Sequence, residues 1–350
     1  MSPITTNNEA WSRIYSAASV ISEMQPWEWM EETDIFGIRI PGTDRVYFIS
    51  VMGSMGEVRA IAAYAGTRAL GMFRELLDDE SAYPASSYVA ASRMLTIPQL
   101  RLDFKEEDEL EPGKEQSIRN NGGAPSKDGL WPVVEQYVPG FVPGEPDEEA
   151  LEDAAIIFEQ CIHIFGHTRE DNDYTYPGDD TENMCMIRTK KKSPEGEWQD
   201  VFKEIWIEPS EYKIYYPSIS LVMVKKYSKK KDTLQVDIVI LPMRVKDEEA
   251  GAYFPFMFLL VNKASGIIEN YMMLTPLPDL DTMYESLPEK LLDMFLESHS
   301  VPQQVEIRSR VLISLLSEML KKADIRLITP GKMEAMDEAI DGIVKNMRDS

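Results

Sequence analysis

Apolar residues near the start of the chain fall at three- and four-residue spacings. Trp11, Ile14, Tyr15, Ala18 and Ile21, with Ser22 beside them, follow the start signals Asn8 and Glu9. This is the period of an amphipathic helix, and Pro26 ends it. The next runs, "IFGIRI", "RVYFISVM" and "VRAIAAYAG", are β-rich and are separated by "PGTD" and "GSMGE", two stretches of turn chemistry. In "GTRALGMFRELL" the helical spacing returns at Leu70, Phe73, Leu76 and Leu77, so the order α-β-β-β-α is expected.

Further on, "PDEEALEDAAIIFEQCIHIF" has acidic residues in its first turn and Leu151, Ala155, Phe158 and Ile162 on one face, which predicts a helix. The runs "MCMIRT", "FKEIWIE", "SISLVMVKKY" and "TLQVDIVILPM" read as strands, the last two joined in a hairpin by the lysine-rich tip "SKKKD". Two more strands are read in "YFPFMFLLVNKASGIIENYMML", around a Gly-centred turn. The tail alternates. It has a helix near 281 to 298 capped by Asp281 or Ser286, the strand "QVEIRS", a helix over 309 to 323, the strand "IRLIT", and a last helix whose stripe runs from Met333 to Met347. Alternation of this kind predicts parallel pairing.

Residues 98 to 147, rich in Pro, Gly and acid, read as an irregular arm anchored by "LWPVVEQYVPGFVP", with Trp131, Tyr137 and Phe141 burying their rings or offering a partner surface. The expected organisation is α+β: an N-terminal domain over 1–97, the arm over 98–147, and a mixed-sheet domain with a helical tail over 148–350.

Composition narrows the classes. A chain of 350 residues can bury roughly 75% of its unfolded surface. No apolar run is long enough to span a bilayer, and the N-terminus lacks the basic and apolar segments of a secretory signal. Cys161 and Cys185 do not make a disulfide framework, so a reducing, cytoplasmic setting is expected. The net charge of −24 opposes nucleic acid and anionic membrane. Only residues 183–231 run against it, with eleven Lys and Arg against six acids, a local +5 where the remainder carries −29.

The stretches "QPWEWMEETDIFGI", "VMGSMGE" and "LWPVVEQYVPGFVP", with the tail "VEIRSRVLISLLSEMLKKADIRLITPGKMEAMDEAI", resemble a bacterial family built of two adjoining domains of unknown function. That resemblance implies no activity. By element order alone, residues 253 to 347 also resemble the ribonuclease H-like fold of integrases. Such enzymes hold two Mg²⁺ with carboxylates on the first strand, at the end of the fourth and on a later helix. Here the expected first strand carries Phe258, Leu259, Leu260, Val261 and Asn262, and the fourth ends Ile307, Arg308, Ser309. Glu306 is expected to face solvent, Glu334, Asp337, Glu338 and Asp341 a solvated helix face, and no third antiparallel strand is read after residue 274. The resemblance thus implies the fold without its catalytic acids.

Other chemistry is sparse. Asp171, Asp173, Thr175, Asp179 and Glu182 take calcium-loop spacings, but Tyr176 stands where the loop needs Gly, so an acidic surface loop is the reading. Cys161, His163, His167 and Cys185 form a zinc set of poor helical spacing, and a buried thiol with helix-end histidines is preferred. His299 belongs to no nucleophilic constellation. "GSMGE" lacks the Lys of a phosphate loop. Lys225, Lys226, Lys229, Lys230 and Lys231, with Tyr227 and Trp198 nearby, suit either nucleic-acid or partner contact, or a solvated tip that protects a sheet edge.

No cofactor, metal or catalytic residue is expected. The leading expectation is a non-catalytic protein-interaction or regulatory module with a protein partner. The alternative is a nucleic-acid-binding or nucleic-acid-processing protein using the basic hairpin, and a third reading is a hydrolase with an inter-domain site.

Overall fold

A computed structural model describes residues 4–348 except 55, 57, 83–86, 179, 180, 182, 192–195, 228 and 300, and except the side chains of 4–7, 79–82, 87, 90 and 229–231. In chain order the elements are α1 (Ile4–Met24), β1 (Phe36–Arg39), β2 (Val46–Met52), β3 (Ala60–Ala65), α2 (Gly66–Ala82), α3 (Ser87–Arg93), β4 (Gln99–Lys105), α4 (Lys114–Asn120), β5 (Trp131–Tyr137), α5 (Glu148–Glu170), β6 (Met184–Lys190) and β7 (Trp198–Glu204). They continue with α6 (Ser218–Lys226), β8 (Lys229–Ile240), β9 (Val245–Asp247), β10 (Gly251–Tyr253), β11 (Phe256–Asn262), β12 (Ile268–Leu274), α7 (Leu280–Glu285), α8 (Leu287–Glu297), β13 (Val301–Glu306), α9 (Arg310–Lys322), β14 (Arg326–Ile328) and α10 (Glu334–Arg348). The class is α+β, as expected.

The chain forms two compact units, one of residues 1–73, 97–137 and 143–209, the other of 74–96, 138–142 and 210–350. The first is built on a seven-stranded sheet of order β5-β4-β3-β2-β1-β6-β7. Its neighbours are antiparallel except β1 and β6, which run parallel at Gly37↔Ile187 and Ile38↔Arg188. Ile14, Ala18 and Ile21 of α1 and Ala154, Phe158 and Phe165 of α5 form one core with Ile38, Ile49, Leu100 and Leu102 of the sheet. Asp147 caps α5 by accepting from the Ala150 amide at 2.9 Å, which leaves the acidic first turn at the favoured end of the helix dipole.

Residues 98–147, expected as an irregular arm, supply β4 and β5. In β4, Leu100, Leu102 and Phe104 alternate with Gln99, Arg101 and Asp103, a period of two that the surrounding Pro and Gly obscure. The run "FKEIWIE" is displaced from its expected place: β7 ends at Glu204, and residues 205–217 carry neither helix nor strand.

The second unit holds a five-stranded sheet of order β12-β11-β8-β13-β14. β11 is antiparallel to both β8 and β12, and β13 is parallel to both β8 and β14. The first strand of this antiparallel set is therefore β8 and not the run 256–262, and among the described residues no strand lies between β12 and β13. Val236, Phe258, Leu260 and Val305 share a core with Leu291, Phe295, Leu312 and Leu316 of α8 and α9. On the other side Val239, Leu259 and Val261 meet Met336, Ile340 and Val344 of α10.

Two local expectations fail here. The run "SISLVMVKK" is the helix α6 rather than a strand. Its β-branched residues favour strand only as a weak prior, and burial of Val224 in the α8/α9 core decides otherwise. The helix near 281–298 is two helices. Asp279, not Asp281, caps the first by accepting from the Thr282 amide at 2.7 Å, and Pro288 lies in the first turn of the second, where its missing N–H is harmless.

Candidate functional site

The strongest concentration of buried charge in the second unit lies between β8, β13 and the N-terminal turn of α10. Alternation along β8 sends Leu234 and Val236 into the α8/α9 core and sends Gln235 and Asp237 toward α10, together with Val239. The same period places Val305 and Ile307 in the first core and leaves Glu306 and Arg308 on the α10 side. Register then brings the two polar pairs together, because Glu306 is the Cα partner of Gln235.

Arg308 is the centre of this cluster, with a side chain only 2% exposed. Its Nε donates to Asp237 Oδ2 at 3.1 Å, and Nη2 lies 3.0 Å from the same oxygen. On the other side Nη1 is 2.6 Å from Asp337 Oδ1, in the first turn of α10. Burial works against the guanidinium charge, but the two carboxylates outweigh it and raise the Arg308 pKa above its ordinary value. Burial raises the Asp337 pKa, and Arg308 only partly offsets that. Beside them Glu306, 4% exposed, takes Lys263 Nζ at 2.6 Å and Gln235 Nε2 at 2.9 Å. Gln235 Oε1 accepts from the Met336 amide at 2.8 Å, so one side chain ties the strand to the start of the helix.

These positions overturn two expectations. Glu306 faces the interior instead of solvent, and Asp337 is an ion-pair partner rather than part of a solvated face. Asp237 was not expected at all. Its alternation with Val236 and Ile238 looks like that of a half-exposed strand, and only the return of α10, a hundred residues later in the chain, buries it.

The basic residues do not form a hairpin. Lys225 and Lys226 end α6, where the helix dipole favours cations, and Lys225 Nζ lies 3.2 Å from Asp324. Lys229, Lys230 and Lys231 open β8, with Lys229 and Lys230 paired through the backbone to Val301 and Pro302; their side chains lie outside the described residues. Trp131 is a core residue under the Arg119 guanidinium, 4.7 Å from its ring centre. Tyr137 and Phe141 are half-buried, Tyr137 with Arg101 over its ring at 5.9 Å, Phe141 bridging by its backbone to Tyr253.

In the acidic loop, the Asp173 amide donates to Asp171, Tyr174 stacks on His167 at 4.8 Å, and the Tyr174 hydroxyl donates to Asp200 at 2.5 Å. Asp179 and Glu182 lie outside the described residues, as do Met55 and Glu57 of the "GSMGE" turn and Lys192. Cys161 and Cys185 are buried, the former on α5 and the latter on β6, while His163 and His167 are exposed. Among the described residues no three His, Cys, Asp or Glu side chains gather closely enough to hold a metal ion. Burial pushes the Cys161 thiol up, against the pull of Arg188. Alkylation of native protein at neutral pH should therefore spare Cys161 until denaturant is added; mass spectrometry finding it labelled in the folded state would contradict that burial.

Fold and site together define an α+β protein of two units, the second holding a buried charge cluster between β8, β13 and the first turn of α10. The chain belongs to the family described as a domain of unknown function, DUF7309, which matches residues 11–188, and residues 220–344 match a second such domain, DUF6930. No curated protein and no solved structure matches the chain. No helix among the described residues is long and apolar enough to cross a membrane.

Proposed function

We propose that residues 229–348 adopt a ribonuclease H-like fold whose metal site is closed, and that the protein works as a non-catalytic interaction module. The strand order β12-β11-β8-β13-β14, with helices following β12, β13 and β14, supports the fold. On that reading Asp237 takes the first-strand acid position, Glu306 the fourth-strand position and Asp337 the last-helix position. The carrying observation is Arg308. Its guanidinium, ion-paired on both sides, fills the space between Asp237 and Asp337, while Lys263 covers Glu306. Two Mg²⁺ ions do not fit this arrangement, because each ligand they need is already neutralised by a cation.

The interaction side of the reading rests on α6. Ile219, Val222 and Met223, at i, i+3 and i+4, form an exposed apolar strip next to Lys225 and Lys226. An apolar segment with acidic flanks, carried by a protein partner, complements that strip in both hydrophobicity and charge. A cytoplasmic setting goes with two buried cysteines that are not joined in a disulfide.

Purified protein with Mg²⁺ or Mn²⁺ is expected to cleave neither DNA, RNA nor their hybrid. Cleavage that survives repurification and disappears in Asp237→Asn would end the proposal. For the interaction half, a discrete protein recovered from nuclease-treated lysate should be lost when Ile219→Asp and Met223→Asp are combined, and recovery indifferent to those changes would count against α6.

A further inference from the structure

Natural sheets keep their edge strands from pairing with other chains by short length, proline, charge or a covering segment. Three of the four edges here use these means. In the seven-stranded sheet, β5 carries Pro132 and is covered by Gly144, which exchanges backbone hydrogen bonds of 2.8 and 3.2 Å with Gln136. β7, at the other end, finishes in the exposed charges Lys203 and Glu204. In the five-stranded sheet, β14 has three residues and opens with the exposed Arg326.

The fourth edge, β12, is different. Over 270–274 it reads Asn-Tyr-Met-Met-Leu, without charge or proline, and it stays in unbroken register with β11 from Asn270↔Leu260 to Leu274↔Phe256. The bulge lies beyond this stretch, next to Glu269. One face of the strand is anchored: Met272 and Leu274 pack on the α8/α9 core, and Asn270 Nδ2 donates to the Met294 carbonyl at 3.3 Å. The other face is bare. There α10 packs on Val239 of β8 and on Met257, Leu259 and Val261 of β11, but Tyr271 and Met273, beside Leu259 and Met257, are 59% and 46% exposed. The Tyr271 amide is turned to the Asn270 side chain, whose Oδ1 accepts from it at 2.8 Å, and a carbonyl from an added strand can take that place.

We propose that β12 pairs antiparallel with β12 of a second copy of this chain, joining two five-stranded sheets into one of ten. Pairing centred on Met272 uses all five uncharged residues. It sets Tyr271 of each copy opposite Met273 of the other, an aromatic–sulfur contact made twice. Two chains of net charge −24 repel one another, so a contact between copies needs a stretch where like charges do not meet. This register supplies one: the nearest charge, Glu269, falls opposite Thr275, and its carboxylate accepts from Asn262 Nδ2 at 2.7 Å. A charged peptide finds no such complement on an uncharged edge. The contact is isologous and closes at two copies, and it is independent of the readings of α6 and of the Arg308 cluster.

Sedimentation equilibrium of the full chain tests it. A strand pair is a small interface, so a reversible dimer is expected in the micromolar range. Tyr271→Lys combined with Met273→Lys, both at exposed positions, should weaken it at least about tenfold with circular dichroism unchanged. Ile219→Asp, on α6, should leave it intact. In the unmodified protein the Tyr271 and Met273 amides should gain exchange protection as concentration rises, a readout that needs no variant. A monomer at every concentration up to about 1 mM would overturn the proposal. So would a dimer indifferent to the two lysines, an equal loss in Ile219→Asp, or exchange at Tyr271 and Met273 that ignores concentration.

Discussion

Arg308→Met is expected to lower the unfolding free energy of the second unit by about 3–5 kcal/mol, the usual effect of removing one partner from a buried ion pair. Methionine keeps most of the stem volume, so the loss reports charge rather than a cavity. Asp237 and Asp337, now without their guanidinium, would face each other across a dry gap. Adding Asp237→Asn and Asp337→Asn should restore most of the lost stability, because neutral amides carry no uncompensated charge. All six tryptophans belong to the first unit. Tryptophan fluorescence therefore follows that unit, and the early shift should appear in the far-ultraviolet circular dichroism.

The variant should also change how stability depends on pH. Asp337 already has its pKa raised by burial. A carboxyl raised in the folded state binds its proton there before the unfolded chain does, so it favours folding at low pH and loses that contribution as pH rises through the folded value. With Arg308 gone its opposing pull disappears and the pKa rises further. The deficit of Arg308→Met should thus shrink on acidification and grow toward neutrality. Millimolar Mn²⁺ should stabilise the variant more than the wild type, since Asp237 and Asp337 would then border a space the guanidinium had filled. A change below about 0.5 kcal/mol, typical of surface positions, would show that Arg308 is not what holds the cluster.

The parts of the fold legible from sequence are those whose burial follows from a helix's own period. The faces of α1, α5, α9 and α10 all appear as three- and four-residue spacings, and each is buried over most of its length, Met347 at the end of α10 being exposed. The meander of β1 to β3 is equally plain, because "PGTD" and the glycines around residue 53 mark its turns. What was not legible depends on partners distant in sequence. Gln235 and Asp237 look solvent-facing along β8 and are buried by α10. Arg308 looks like the end of a strand, yet its role comes from two acids, seventy-one residues before it and twenty-nine after. α6 misleads in the opposite sense, since local β propensity loses to one anchored valine. Taking 256–262 as the first strand followed from the same blindness: β8 is separated from β11 by the small β9/β10 ribbon, which hides their antiparallel pairing.

Trp131→Ala is expected to destabilise the first unit by about 3–5 kcal/mol, as removal of a large buried ring does. The residue opens β5, the edge strand of the seven-stranded sheet, and an edge position would ordinarily suit the partner surface that the sequence suggests. Its ring is nonetheless 2% exposed, within the core that includes Phe104, Ile118, Leu130 and Val133. Arg119 of α4 lies over its face, so truncation also removes a cation–π contact and the seat of a short helix. The alternatives separate cleanly in magnitude. A tryptophan kept for an external partner would cost the isolated protein no more than about 0.5 kcal/mol and would show its loss only in binding. Denaturant unfolding followed by the five remaining tryptophans, with amide exchange at β4 and β5, would decide it. Faster exchange across Leu100–Phe104 together with an early fluorescence transition is the expected result, and an unchanged transition would return Trp131 to the surface reading.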